Sequence, residues 1–134
     1  MKSKYFKSIQ LTQKVIRVCG FAGELMYLVC GDNEAALIDT GMGVDNLAEF
    51  ISSLTHLPLK VILTHGHSDH VGGAVYFNGP YLNEKDFSLA AEHNQLQGKK
   101  DYIREMMGVE LPDSAYASAA DSLLFESEHK RNQE

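Results

Sequence analysis

The stretch THGHSDHVGG at residues 64–73 contains three histidines and one aspartate within six consecutive positions. The whole chain has only six histidines, so half of them fall in this short segment. The apolar run from Val61 to Leu63 directly precedes it and predicts a buried strand. Imidazole and carboxylate groups concentrated after a strand are typical of a metal-binding site.

The spacing within the segment suits divalent metal ions. Residues two apart in an extended chain point to the same side, so His65 and His67 can present their rings to one ion. Ser68 or Asp69 is expected to cap a short helix, and the turn returns Asp69 and His70 toward the same pocket. Neutral imidazole and carboxylate favour zinc, with iron or manganese as alternatives. Two pairs of donors predict one ion or two adjacent ions.

A simpler interpretation is that Asp69 only caps a helix and that the three histidines are incidental surface residues. The local excess of histidine argues against it. Gly72 and Gly73 lack side chains and would let other backbone segments approach a crowded site. We therefore take metal binding as the leading interpretation.

The pattern His65-x-His67-x-Asp69-His70, preceded by Thr64, resembles the signature of the metallo-β-lactamase superfamily. A second stretch supports the resemblance. The sequence AALIDTG at residues 35–41 is similar to the family's strand that ends in Asp-Thr-Gly, and residues 26–34 fit its partner strand and turn. The combination indicates the superfamily without selecting a substrate.

This resemblance implies roles for individual residues. His65 and His67 would ligate a first metal, and Asp69 and His70 would ligate a second. Asp69 would also orient the attacking hydroxide. Asp39 would be a carboxylate that supports the ligand rings from behind, as such sites generally require. Its alternative role is that of a plain turn residue after a strand.

The resemblance also implies the fold. The class would be α/β, a metallo-β-lactamase-type αββα sandwich, and residues 1–134 would form a single partial domain of about its N-terminal αβ half. The family completes its site with a further histidine, an aspartate and a last histidine downstream. After His70 this chain has only His93, in a helical context, and His129, in a charged tail. A truncated product, an excised fragment and a natural half-domain would each explain the difference.

The function implied is that of a metal-dependent hydrolase acting on a small-molecule substrate. A metal-bound hydroxide would attack an ester, thioester, lactone, lactam or phosphoester. The alternative is a catalytically inactive metal-binding half-domain, or an assembly module completed by another chain. A homo-oligomer or a complementing chain is then expected, because half of a sandwich would expose an apolar sheet face.

Composition excludes other classes of function. Twelve basic and eighteen acidic residues give a net charge of −6, and the absence of a basic run argues against nucleic-acid binding. No apolar stretch is long enough to span a membrane, and polar residues interrupt any signal-peptide core near the N-terminus. The expected location is cytoplasmic. Cys19 and Cys30 are then expected to be free thiols, and without a C-x-x-C pattern they do not predict a zinc site.

Hydrophobic periodicity and turn residues predict the remaining elements. Strands are expected at residues 14–19, 24–30 and 35–39, and a short one at residues 81–82. Helices are expected from Asp45-Asn46 onward, over residues 84–96 with an end at Gly98, and over residues 99–107 with an end at Gly108.

Overall fold

A five-stranded sheet forms the centre of the computed structural model, which describes residues 2–117 and Phe125. The strands lie in chain order. The first four form an antiparallel meander, and the fifth pairs in parallel with the fourth. The strands are β1 (Lys7–Gln10), β2 (Val15–Cys19), β3 (Leu25–Cys30), β4 (Ala35–Ile38) and β5 (Leu59–Ile62).

Four α-helices and three short 3₁₀ helices accompany the sheet in the described part of the chain. None of these helices is long and apolar enough to cross a membrane. The α-helices are α1 (Leu47–Leu54), α2 (Ser68–Val71), α3 (Phe87–His93) and α4 (Leu96–Met107). The 3₁₀ helices are Ala74–Tyr76, Glu84–Asp86 and Asp113–Ala115.

One face of the sheet carries the hydrophobic core. Alternate residues of β2 and β3 are buried, as the two-residue period of a half-buried strand requires. These side chains pack against the apolar stripe of α1 and against residues from α2 and α3. The main members of the core are Val18, Met26, Leu28, Leu37, Leu47, Phe50, Ile51, Val61, Val71 and Ala90.

The opposite face of the sheet has no covering layer in the described residues. Leu25 and Val29 on β3 are 42% and 39% exposed, and Ile62 on β5 is 41% exposed. Ile9 on β1 is 52% exposed and lies on the same face, since it pairs with Arg17 and Arg17 pairs with Tyr27. The structure is therefore one sheet with helices on one side, as expected for one αβ half of a sandwich.

The parallel pairing of β4 and β5 decides where the histidine segment lies. Parallel strands end at the same edge of a sheet, so the residues that follow β4 and β5 become neighbours. The backbone N–H of Asp39 donates to the carbonyl of Ile62 at 2.9 Å. The loop after β4 and the loop after β5 therefore meet, although 25 residues separate Asp39 from Thr64.

A second, smaller cluster packs α4 against the loop after β4. It contains Met42, Val44, Ile103 and Tyr116, all buried. Two backbone hydrogen bonds complete this packing, from Asp45 to Ala115 and from Ala117 to Gly43. The residues after α4 therefore help to hold the loop that approaches the histidine segment.

Several predicted elements need correction. The helix expected over residues 84–96 with an end at Gly98 is wrong, because α3 ends at His93 and Gly98 lies inside α4. Buried Asn94 ends α3 by donating from both its backbone and its side chain to the carbonyl of Ala90. Strand β1 was not predicted, since all four of its residues are exposed and show no apolar alternation.

Other expectations hold with adjusted bounds. Helix α4 ends at Gly108, which adopts the left-handed conformation with φ of 65°. The short strand expected at residues 81–82 is a single bridge between Tyr81 and Ile62. Phe125 packs against Phe87 with ring centroids 5.5 Å apart. The charged tail after Phe125, including His129, lies outside the described residues.

Substitution of Gly72 tests the close packing behind the histidine segment. A Cβ atom at Gly72 would overlap the backbone of Met42 and the carbonyl of Gly41. We expect Gly72→Ala to lower the free energy of unfolding by about 1–3 kcal/mol. Gly98→Ala is the control, because a Cβ there meets nothing within 4 Å and should stabilise the helix by about 0.5–1 kcal/mol. Equal urea-denaturation midpoints for both variants would contradict this packing.

Candidate metal centre

The histidine segment begins as β5 ends and turns into helix α2. His67 is the N-cap residue of α2, in an extended conformation, and its side chain makes no capping hydrogen bond. The expected cap by Ser68 or Asp69 is therefore wrong, because both residues lie within the first turn of the helix. The short helix nevertheless returns Asp69 and His70 toward the two preceding histidines.

The three imidazoles of the segment lie together. The ring centroids of His65 and His67 are 4.8 Å apart, and those of His65 and His70 are 4.1 Å apart. A fourth ring belongs to His93 at the end of α3, 5.3 Å from the ring of His67. Sequence reasoning set His93 aside because of its helical context. Only the packing of α3 against the segment reveals this contact.

Asp39 is a buried carboxylate that supports two of these rings. Its Oδ2 atom lies 2.8 Å from His70 Nδ1, and its Oδ1 atom accepts a hydrogen bond from the Thr64 backbone N–H at 2.8 Å. The Thr64 hydroxyl lies 3.0 and 2.9 Å from the two carboxylate oxygens and 2.9 Å from His65 Nδ1. One carboxylate thus reaches His70 directly and His65 through Thr64.

This network assigns the tautomers of both rings. A carboxylate only accepts hydrogen bonds, so His70 Nδ1 must carry a proton. The single hydroxyl proton of Thr64 goes to Asp39, and the hydroxyl oxygen then accepts from His65 Nδ1–H. In its neutral form, each ring therefore presents an unprotonated Nε2 atom. A neutral imidazole nitrogen with its partner nitrogen held in this way is suited to bind a divalent metal.

Asp69 places a second carboxylate beside these rings. Its side chain is 34% exposed, and its Oδ1 atom lies 3.5 Å from His70 Nε2. This distance is too long for a strong hydrogen bond, so Asp69 keeps oxygen atoms free to accept from a ligand. Exposure, charge and position together suit a group that binds a cation or orients a water molecule.

The donor set fits a metal in its chemistry and less well in its arrangement. His65, His67, His70 and Asp69 supply imidazole nitrogen and carboxylate oxygen, which zinc prefers. Among residues 2–117 and 125, however, no three His, Cys, Asp or Glu side chains are arranged so that they could hold a metal ion. The two cysteines are free and half-buried, on β2 and β3.

Glu24 is a further, partly buried carboxylate that the sequence did not single out. Its oxygens accept hydrogen bonds from the backbone N–H of Ala22 at 2.9 Å and of Met42 at 2.6 Å. Burial raises the pKa of Glu24, and the negative charge of Asp69 adds to the shift, while the backbone hydrogen bonds oppose it. Glu24 thus ties the turn after β2 to the loop after β4.

Lys99 is a buried cation with no acidic partner among its hydrogen bonds. Its side chain is 1% exposed, and Nζ donates to the carbonyls of Gly72 at 3.0 Å and Ala117 at 2.9 Å. Burial lowers the pKa of Lys99 from its ordinary value of 10.5 to about 8. Gly72 follows α2 directly, so Lys99 links α4 to the end of the histidine segment.

A cavity of about 360 Å³ lies elsewhere, beside α1 and β5. Its walls include Ile51, His56, Leu59 and Phe77. None of the residues of the histidine segment lines it. The cavity is therefore separate from the candidate metal centre.

A known protein family matches the part of the chain that contains the histidine segment. Residues 19–81 match the model described as the Metallo-beta-lactamase superfamily, a span that contains both Asp39 and the histidine segment. The resemblance to the metallo-β-lactamase superfamily is confirmed. The matched span also includes β3, β4, α1 and β5, which position these residues.

Two curated proteins illustrate the similarity. An atrochrysone carboxyl ACP thioesterase of Aspergillus terreus (strain NIH 2624 / FGSC A1156) is 37% identical over 106 residues, covering 64% of this chain and 31% of that protein. A lactamase-like protein of Pestalotiopsis microspora is 33% identical over 101 residues, covering 58% of this chain and 32% of that protein. The chain thus matches about a third of the length of these curated relatives.

A solved structure shows the same fold. The crystal structure of a metallo-β-lactamase from Erythrobacter litoralis aligns with a TM-score of 0.57 and 21% sequence identity. The alignment covers 69% of this chain and 48% of that one. The α/β fold is therefore that of a metallo-β-lactamase over about half of the neighbour's length.

The shifted pKa of Lys99 predicts a dependence of stability on pH. Between about pH 8 and 10.5 the unfolded chain holds a proton on Lys99 that the folded chain has lost, so the free energy of unfolding rises with pH in this range. We expect the stability of the wild type relative to Lys99→Met to increase from pH 7.5 to pH 10, measured by urea denaturation. Lys85→Met, at an exposed position, is the control. A constant difference between wild type and Lys99→Met would contradict this assignment.

Proposed function

We propose that this protein is a metal-dependent hydrolase that cleaves thioesters of small molecules. The observation that carries the proposal is the hydrogen-bond network in which one buried carboxylate, Asp39, orients the rings of His65 and His70. A plain surface cluster of histidines has no need of such support. The thioester class rests on the relatives that are named as acyl carrier protein thioesterases.

In this proposal the histidine segment supplies the metal ligands. His65 and His67 would hold a first ion, and Asp69 and His70 a second, with zinc favoured and iron or manganese as alternatives. When bound, the metal would activate water and polarise the substrate carbonyl. The half-buried free cysteines agree with the cytoplasmic location that we propose, because a reducing compartment keeps thiols free.

The chain's own residues prepare the site. Asp39 and Thr64 keep a proton on Nδ1 of His65 and His70, so that both Nε2 atoms are available as ligands. Asp69 is the proposed catalytic residue. Its half-exposed carboxylate can accept a hydrogen bond from the attacking water and orient it toward the substrate carbonyl.

Metal content provides the first test. We expect the purified chain to bind zinc and the double variant His65→Ala/His67→Ala to lose it, because two imidazoles dominate the affinity. His56→Ala is the control, since His56 lines the separate cavity beside α1. Zinc content is measured by elemental analysis after dialysis, and thiol release from acyl thioesters is measured with the same samples. Equal zinc content in wild type and double variant would exclude the assignment of these ligands.

A second candidate function is a metal-binding module that another chain completes. The exposed apolar residues on the outer face of the sheet favour this candidate. Burying such a face contributes about 25 cal/mol per Å², so several hundred Å² would favour association by several kcal/mol. A second copy of the chain is the occupant that we propose, with equivalent sheets placed face to face.

Association is tested by sedimentation of the purified chain at micromolar concentration. We expect a dimer or a larger species, and we expect Val29→Lys to shift the distribution toward monomer by placing a charge on the outer face. Met106→Lys is the control, because Met106 is also exposed but lies on α4. A well-folded wild-type monomer would contradict self-association through this face.

A further inference from the structure

Helix α3 lies against the backbone of the histidine segment and contacts it at two points. The backbone N–H of Gly66 donates to Asp86 Oδ2 at 3.0 Å. The backbone N–H of Ser68 donates to His93 Nδ1 at 3.2 Å. Gly66 and Ser68 are the neighbours of His67 on either side, so the two hydrogen bonds bracket that residue.

The two acceptors stand at opposite ends of α3. Asp86 is the N-cap residue of the helix and His93 is its last residue. Seven helical residues span about 10 Å at 1.5 Å per residue. Asp86 makes no side-chain hydrogen bond to the N-terminus of α3, so its carboxylate serves the histidine segment instead of capping its own helix.

Gly66 permits this close contact. A Cβ atom at Gly66 would lie 3.0 Å from the backbone N of Ala90 and 3.0 Å from the carbonyl O of Asp86. The backbone of the segment therefore rests directly on the first turns of α3. The glycine between the two histidines is explained by this contact, independently of any ligand.

His67 is the histidine of the segment that lacks other support. The Asp39 network holds the rings of His65 and His70, but within the described residues no hydrogen bond reaches the ring of His67. His67 is also the most exposed of the three. Its position is therefore determined mainly by its backbone and by packing against the rings of His65 and His93.

We propose that Asp86 and His93 are positioning residues that hold the backbone around His67 and so set its distance from His65. The role in metal binding depends on the proposed function, whereas the two hydrogen bonds from Gly66 to Asp86 and from Ser68 to His93, which we call the brace, do not depend on it. An ionised Asp86 makes a charge-assisted hydrogen bond to Gly66. His93 accepts through Nδ1, so its proton is on Nε2 and the ring is neutral.

Amide hydrogen exchange in the zinc-free protein tests the brace. We expect exchange at Gly66 to be at least about 10-fold faster in Asp86→Ala, and exchange at Ser68 to be at least about 10-fold faster in His93→Ala, because each amide loses its acceptor. Asp86→Asn and His93→Asn retain an acceptor oxygen and should restore protection. Glu92→Ala, at an exposed position beside His93, is the control.

Zinc affinity, measured by competition with a chelator, tests the consequence. Loss of a group that orients a metal ligand weakens binding by about 10–100-fold, so both alanine variants should bind zinc more weakly by that factor and both asparagine variants should recover. If an alanine variant fails to fold, Gly66→Ala replaces it, since the added methyl group would crowd the backbone of α3 and loosen the contact without changing either acceptor.

The two measurements separate this proposal from the proposed function. Faster exchange at Gly66 and Ser68, in a protein that binds no zinc even as wild type, would support the brace and exclude the metal-dependent function. Unchanged exchange at both amides would overturn the brace, whatever the zinc affinity. Failure of the asparagine variants to restore protection would also overturn it, because the effect would then not depend on an acceptor.

Discussion

The Asp39 carboxylate is the group on which the candidate site depends. It follows β4, and the parallel partner β5 delivers Thr64 directly beside it. Asp39 adopts a left-handed backbone conformation with φ of 68°, which aspartate tolerates better than most residues. A buried carboxylate is costly unless it is well hydrogen-bonded. The donors that satisfy it come from Thr64 and His70. The same hydrogen bonds therefore stabilise the buried carboxylate and orient the side chains of the site.

Close backbone packing surrounds this carboxylate. Gly72 donates its N–H to the carbonyl of Gly41, and its own carbonyl accepts from buried Lys99. A Cβ atom at Gly43 would overlap the Gly72 carbonyl and approach Lys99 Nζ, so the two loops touch without intervening side chains. Glu24, in the turn after β2, accepts a further hydrogen bond from the backbone N–H of Met42 in the loop after β4. The site is therefore held by backbone contacts between segments that are distant in the sequence.

The two faces of the sheet have different roles. The inner face buries the core. The ends of β4 and β5 place Asp39 and the histidine segment at one edge of the sheet. The outer face exposes apolar side chains, and the chain matches about half of the aligned metallo-β-lactamase. Imidazole and carboxylate groups lie together at this edge, and among the described residues no three such side chains are arranged so that they could hold a metal ion.

Much of the fold could be predicted from local sequence patterns. Alternating apolar residues predicted β2, β3 and β4 within one or two residues, and the position of Asn46 before an apolar stripe predicted α1. The histidine spacing and the Asp-Thr-Gly sequence led to the superfamily, which the family comparison confirmed. Prediction failed where local patterns are weak. Strand β1 has no buried side, and Gly98 lies inside α4, whose end is at Gly108 instead.

The candidate site, like the fold, could be predicted only in part from the sequence. The sequence by itself determined which residue types could bind a metal, since their chemistry and spacing are local properties. It also led to Asp39 through the family resemblance. Only the tertiary structure decided that Asp86, His93 and Lys99 contact the segment and that Glu24 holds the neighbouring loop after β4, because each of these side chains bonds to a residue at least 18 positions away. The hydrogen bonds of these side chains end on backbone groups, which every residue carries, so no pattern in the sequence marks the partner.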